Sequence, residues 1–176
     1  MVLSTFNLYW RNLFLINSLG AFGIVLIAMF MDYYLLLVAC PLCILQRYVF
    51  VGIGLLSFFV FIFPKIKKTL VTLIVVTSLL GIFFAVRQIY LQQLSQEELL
   101  ALSGCGMPLN ALVEYFGFFE GIKLAVMGGP SCAAEDWRFL FNFAEWALIF
   151  FSGFLGINVT ASVSYTHLRA HETPCH

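Results

Sequence analysis

The residues with the clearest chemical potential are cysteines. Cys40 and Cys43 form a C-x-x-C, Cys40-Pro41-Leu42-Cys43, and Cys105 and Cys132 stand 27 residues apart further on. C-x-x-C pairs are redox or metal motifs. If a helix starts near Pro41, Cys43 falls in its first turn, where unpaired N–H groups and the helix dipole favour an anion. Arg47 follows Cys43 by four residues, one helical turn on and on the same face. Together they favour the thiolate, which is the reactive form of cysteine. A boundary arginine that simply snorkels to lipid headgroups is the plainer reading of Arg47. Four thiolates also suit zinc, but Cys105 and Cys132 lack the close spacing of such sites, so no metal is expected. Two structural disulfides are a further alternative. A bridge across the 27-residue loop would constrain it by about 3–4 kcal/mol, whereas the small C-x-x-C ring constrains little.

A C-x-x-C that oxidises other thiols becomes reduced and needs an electron acceptor. The main body, residues 1–163, contains no histidine and no ferredoxin-type cysteine spacing, so neither haem nor an iron–sulfur cluster is indicated. At a membrane surface the remaining common carrier is a quinone, whose two-electron couple matches two thiols. Cys43 is the expected donor. Arg47 is expected to stabilise negative charge developing on a quinone oxygen, as fixed cations do. Arg87, at the same membrane level, is a second candidate for that role.

The elements that position these residues follow from composition. Of 176 residues, 62% are hydrophobic and 10% charged, against roughly 45–50% and about 25% in soluble domains. Twenty phenylalanines and a mean hydropathy of +0.98 make lipid the main solvent. Nine basic and nine acidic residues leave no net charge, which argues against nucleic-acid binding. Four apolar runs predict four helical spans: 13–31, 44–63, 69–87 and 143–162. The first run is too long for a signal peptide and lacks a small-residue cleavage site after it. The fold expected is an all-α integral membrane four-helix bundle forming one domain.

Arg11, Lys65, Lys67 and Lys68 lie on one side, which the positive-inside rule makes cytoplasmic. The short loop 33–43 and the long acidic loop 88–141 then face outward. All four body cysteines fall on that outward face, where disulfides persist if the compartment is oxidising. Leu112 to Met127 reads as a segment in the interface plane, or as a loop helix packed on the bundle. Trp137 reads as an interfacial anchor. Gln46, Gln92 and Gln93 are polar boundary residues without an assigned role. The tail 164–176 holds all three histidines and Cys175 and is expected to be a disordered or non-native extension.

Four segments carry a family resemblance. Cys40-Pro-Leu-Cys-Ile-Leu-Gln-Arg47, Val86-Arg-Gln-Ile-Tyr-Leu-Gln92, Cys105-Gly-Met-Pro-Leu109 and Ser131-Cys-Ala-Ala-Glu-Asp-Trp-Arg-Phe-Leu140 resemble, in order and spacing, the disulfide bond formation protein B (DsbB) family. The resemblance covers about residues 10 to 163. It implies an inner-membrane oxidase with periplasmic cysteines. Its partner is a soluble thioredoxin-fold thiol oxidase, DsbA-like, and its acceptor is ubiquinone or menaquinone. It further implies a relay. The partner attacks a Cys105–Cys132 disulfide, Cys105 takes the mixed disulfide, Cys132 exchanges with Cys40, and Cys43 is left facing quinone.

Three features depart from the family. Gln88 stands where many members have histidine, so a histidine proton role is not available there. Phe143-Ala144-Glu145-Trp146 lacks the usual proline before the last tryptophan, and the tail after about Val163 is unlike the family. A vitamin K epoxide reductase-like enzyme is the alternative, but its loop pair precedes the C-x-x-C. A non-enzymatic scaffold stapled by disulfides would need neither Arg47 nor quinone.

Overall fold

The computed structural model describes residues 2–101, 107–133 and 137–171. Four of its helices are long and apolar enough to cross a membrane. The first is α1 (Val2–Leu35), apolar from Arg11 onward, and the second is α2 (Pro41–Ile62). A 3-10 turn at Pro64–Ile66 leads into α3 (Lys67–Gln92), and α8 (Phe143–His171) is the last. Between α3 and α8 lie short helices α4 (Gln96–Ala101), α5 (Leu109–Phe116), α6 (Phe118–Met127) and α7 (Pro130–Ala133). Two-residue strands β1 (Arg138–Phe139) and β2 (Phe141–Asn142) pair antiparallel just before α8. The expected all-α membrane bundle is the observed architecture.

The helix ends have local causes. At the end of α1, Leu36 adopts a left-handed φ of 54° and the Leu37 N–H bonds the Asp32 carbonyl at 3.0 Å, the pattern of a Schellman stop. Pro41 occupies the first helical position of α2, where its missing N–H costs nothing, and Pro64 follows its end. α2 therefore begins three residues before the apolar run at Ile44. The start of α8 is fixed without a proline. Asn142 Oδ1 accepts from the Glu145 N–H at 2.8 Å, and Glu145 Oε2 accepts from the Asn142 N–H at 2.8 Å, a reciprocal capping box.

Two expectations change. The segment 112–127 is not one element. Gly117, at φ 80°, breaks it into α5 and α6, a conformation disfavoured for residues with a Cβ. The hairpin buries Leu109, Leu112 and Ala125 together, with Ile44 and Leu45 of α2 against them, while Tyr115, Phe116, Phe118 and Phe119 stay exposed. The tail is not disordered from its start. Helix α8 runs on through His171, because 164–171 contain neither Gly nor Pro and each added residue extends the hydrogen-bond ladder. Residues 172–176, with Cys175, lie outside the described residues.

Helix α1 packs along α2, α2 along α3 and α3 along α8. The core is aromatic and aliphatic: Phe50 and Phe151 stack with centroids 4.0 Å apart, and Ile53, Ile74 and Phe151 are fully buried. Large apolar side chains such as Leu26, Phe30, Val76 and Phe83 remain exposed, as lipid-facing surfaces require. At mid-bundle a polar cluster ties three helices together. Asn17 Nδ2 donates to Ser57 Oγ at 3.2 Å and to Asn158 Oδ1 at 3.4 Å.

Candidate thiol–disulfide site

At one end of the bundle three sulfurs meet. Cys40 is the N-cap of α2, and its Sγ accepts from the Cys43 N–H at 3.3 Å. The Cys40 and Cys43 sulfurs are 2.7 Å apart, with both thiols free. Cys132, on the single-turn helix α7, is brought into hydrogen-bond contact with Cys40 from a position 92 residues away in the chain. Cys132 also accepts from the Leu42 backbone N–H, so two sulfurs take up the orphan donors at the start of α2.

The hydrogen bond from Cys40 lowers the Cys132 thiol from its ordinary value to about 6, against the opposing effect of burial and with help from the N–H groups of Leu42 and Gly129. Cys40 shifts the other way, well above the ordinary thiol range, chiefly because it donates to Cys132, then to Cys43, and because it is buried. Cys132 is thus the nucleophile of the pair and Cys40 the protonated partner. Cys105 lies outside the described residues.

The loop end that delivers Cys132 is clamped to α3. Arg87 donates from Nη2 to the Met127 carbonyl at 2.8 Å and from Nε to the Val126 carbonyl at 3.3 Å, satisfying the last acceptors of α6. Gly128 follows at φ 76°, and a Cβ there would run into the Leu91 side chain. Arg87 is therefore not brought to the sulfurs. The structure turns it toward the loop, with Tyr90 beneath its guanidinium at 5.4 Å.

Arg47 does share a cavity with Cys40 and Cys43, of about 430 Å³. Helices α1 and α8 meet at Asn17 and Asn158, and the cavity lies between them nearer the sulfurs. Its walls are largely apolar: Ile24, Ala28 and Met31 of α1, and Trp146, Ala147 and Phe150 of α8. Exposed Ile27 and Val38 also line it, so it is reached from the outer surface of the bundle. Arg47 does not reach out to Cys43 as a lone cation. Its guanidinium grips Asp32 in a bidentate pair, Nη1–Oδ2 at 2.5 Å and Nη2–Oδ1 at 2.9 Å. Trp137 also lines the cavity, stacked on Phe143 with centroids 4.9 Å apart.

Residue-type reasoning left three contributors unassigned. Asp32 carried no assigned role. Gln46 read as a boundary polar and Gln88 only as a departure from the family's histidine, yet both are buried beside the thiols. Gln46 Nε2 donates to Gln88 Oε1 at 2.8 Å, and Gln88 Nε2 donates to Cys43 Sγ at 3.1 Å and Cys40 Sγ at 3.5 Å. The available signal was spacing: Gln46 lies one turn after Cys43, beside Arg47.

A four-helix membrane bundle with a dithiol at one end, met by a loop thiol, belongs to the class of disulfide-forming membrane oxidoreductases. The comparisons agree. The profile of the family "Disulfide bond formation protein DsbB" matches residues 10–161. Proteins named "Disulfide bond formation protein B" are similar along most of their length. That of Marinobacter nauticus is 34% identical over 134 residues, 74% of this chain and 78% of the relative. That of Stutzerimonas stutzeri is 31% identical over 153 residues, 85% and 90% of the two chains. That of Hahella chejuensis is 32% identical over 151 residues, 84% and 90%. The chain belongs to the DsbB family and is a multi-pass membrane protein of disulfide bond formation.

Proposed function

We propose that this protein oxidises the dithiol of a soluble periplasmic thiol oxidase of thioredoxin fold, DsbA-like, and passes the electrons to a quinone of the inner membrane. The observation that carries the reading is the contact of Cys132 with Cys40, beside Cys43, at a lipid-accessible apolar cavity holding a guanidinium.

The exchange starts from two disulfides, Cys105–Cys132 and Cys40–Cys43. The partner's thiolate attacks Cys105, and Cys132 leaves as a thiolate. The backbone N–H groups of Leu42 and Gly129, which favour the Cys132 thiolate, do not depend on the Cys40 thiol and make Cys132 a good leaving group while Cys40 is still in its disulfide. Cys132 attacks Cys40, forms Cys40–Cys132 and releases Cys43 as a thiolate. The partner's second thiol then attacks its own sulfur in the mixed disulfide and releases Cys105. Cys105 attacks Cys132, which restores the loop disulfide and leaves Cys40 and Cys43 reduced. One disulfide has formed in the partner and one has been lost from the C-x-x-C.

The cavity residues fit a quinone: apolar walls from α1 and α8 for the ring and tail, Arg47 for a ring oxygen, and Cys43 on the same wall. A quinone bound there supplies a two-electron, two-proton sink for the dithiol. Asp32 keeps the Arg47 guanidinium oriented along the wall, and Trp137 and Trp146 help exclude water.

The purified protein mixed with a reduced dithiol partner and a soluble quinone tests this. Quinone should be reduced at a rate lost in Cys43→Ser, and Cys105→Ser should block reaction with the partner while quinone still binds. Quinone reduction that ignores the loss of Cys43 overturns the reading.

A further inference from the structure

Gln88 and Gln46 are buried, at 3% and 5% exposure, in a part of the bundle where an unpaired amide is costly. They form a directed chain. The Gln46 Nε2 group can only meet an acceptor, so Gln88 presents its oxygen to Gln46. The Gln88 Nε2 group is thereby aimed at the sulfurs, 3.1 Å from Cys43 and 3.5 Å from Cys40. The two ends of an amide have nearly the same shape, so only partners decide which faces the thiols. Arg47 lines the same cavity, but its guanidinium is engaged by Asp32. Among the described residues, the direct donors on Cys43 Sγ are the Cys40 thiol and this neutral amide.

We propose that the Gln46–Gln88 amide pair sets the redox poise of the Cys40–Cys43 couple: Gln88 donates to the sulfur that carries negative charge on reduction, and Gln46 is the positioning residue that fixes its orientation. The inference rests on the reading of Cys40–Cys43 as a redox pair. A thiolate is a stronger acceptor than a disulfide sulfur, so the donated bond strengthens on reduction and makes the couple more oxidising. Poor access of water leaves that bond without competition. Reduction by dithiothreitol breaks the Cys40–Cys43 bond and closes the reagent's own disulfide. Cys40 keeps a proton, Cys43 remains as thiolate, and the second proton goes to solvent.

The test uses full-length protein carrying Cys105→Ser, Cys132→Ser and Cys175→Ser, freed of quinone in detergent and equilibrated with mixtures of reduced and oxidised dithiothreitol. Alkylation and mass spectrometry count the reduced pair. Gln88→Leu should move the equilibrium constant about tenfold toward the protein disulfide, about 30 mV lower in potential. Gln46→Glu should move it at least as far with Gln88 intact, because a carboxylate accepts from Gln88 Nε2 and turns the amide oxygen toward the sulfurs. If Gln88→Leu does not fold, Gln46→Glu and Gln46→Leu decide. A constant unchanged within about twofold in the folded variants overturns the proposal. Quinone plays no part in the measurement. A shifted constant in a protein that cannot reduce quinone would therefore overturn the proposed function alone.

Discussion

Asp32 and Arg47 each occupy an unfavourable end of a helix. A carboxylate in the last turns of α1 and a guanidinium in the first turns of α2 both oppose their helix dipoles. Each offsets the other's cost, and the bidentate geometry fixes the guanidinium plane against the cavity. Arg47→Ala should raise the half-saturating quinone concentration about tenfold without unfolding the bundle, and Asp32→Asn about threefold, read from turnover against quinone. Normal turnover at low quinone in Arg47→Ala would remove that residue from the site. Cys132 carries a pH prediction. Its thiol is lowered to about 6, so the thiolate is present above that pH and is lost as pH falls through it. In fully reduced Cys105→Ser protein, where the Cys40 thiol can donate to Cys132, the rate of Cys132 alkylation by a small reagent should be near its plateau at about pH 7. It should fall about tenfold per unit below about pH 6, followed by acid quenching and mass spectrometry.

At the scale of elements, the loop serves to place one sulfur. Helix α6 ends on the Arg87 guanidinium, Gly128 turns the chain where no side chain fits beside Leu91, and α7 sets Cys132 against the start of α2. Arg87→Gln, with a shorter and uncharged reach, should slow Cys132–Cys40 exchange about tenfold, since a displaced sulfur loses in-line approach. Quinone affinity should stay unchanged, because the arginine faces the loop rather than the cavity. A raised quinone requirement with normal exchange would restore Arg87 to the quinone-binding role first expected of it. The spans themselves were legible because lipid demands long uninterrupted apolar runs. The break at Gly117 was not, because a glycine among aromatics reads equally as part of one helix until tertiary packing folds α6 back on α5.

For the whole molecule, the two ends of the bundle have opposite chemistry, with lysines between α2 and α3 and thiols at the far end. In intact cells an impermeant maleimide should label Val38→Cys and Tyr115→Cys directly, but Lys65→Cys only after permeabilisation. Labelling of Val38→Cys and Tyr115→Cys from opposite sides would separate the two sulfur pairs and leave the relay no path. The buried Asn17–Ser57–Asn158 cluster gives three of the spans a common fastening point, so the sulfur end can hold an opening between α1 and α8 while their middles stay joined. Sequence alone determined the bundle, its span boundaries to within a few residues and the C-x-x-C, because apolar run length and cysteine spacing are properties of the linear chain. Tertiary structure alone decided that Cys132 meets Cys40, that Asp32 holds Arg47, that Arg87 serves the loop and that Gln88, bonded to Gln46, reaches the sulfurs. Those contacts join helices 15 to 92 residues apart in the chain, and a hydrogen bond acts over a few ångströms that only packing can bring about.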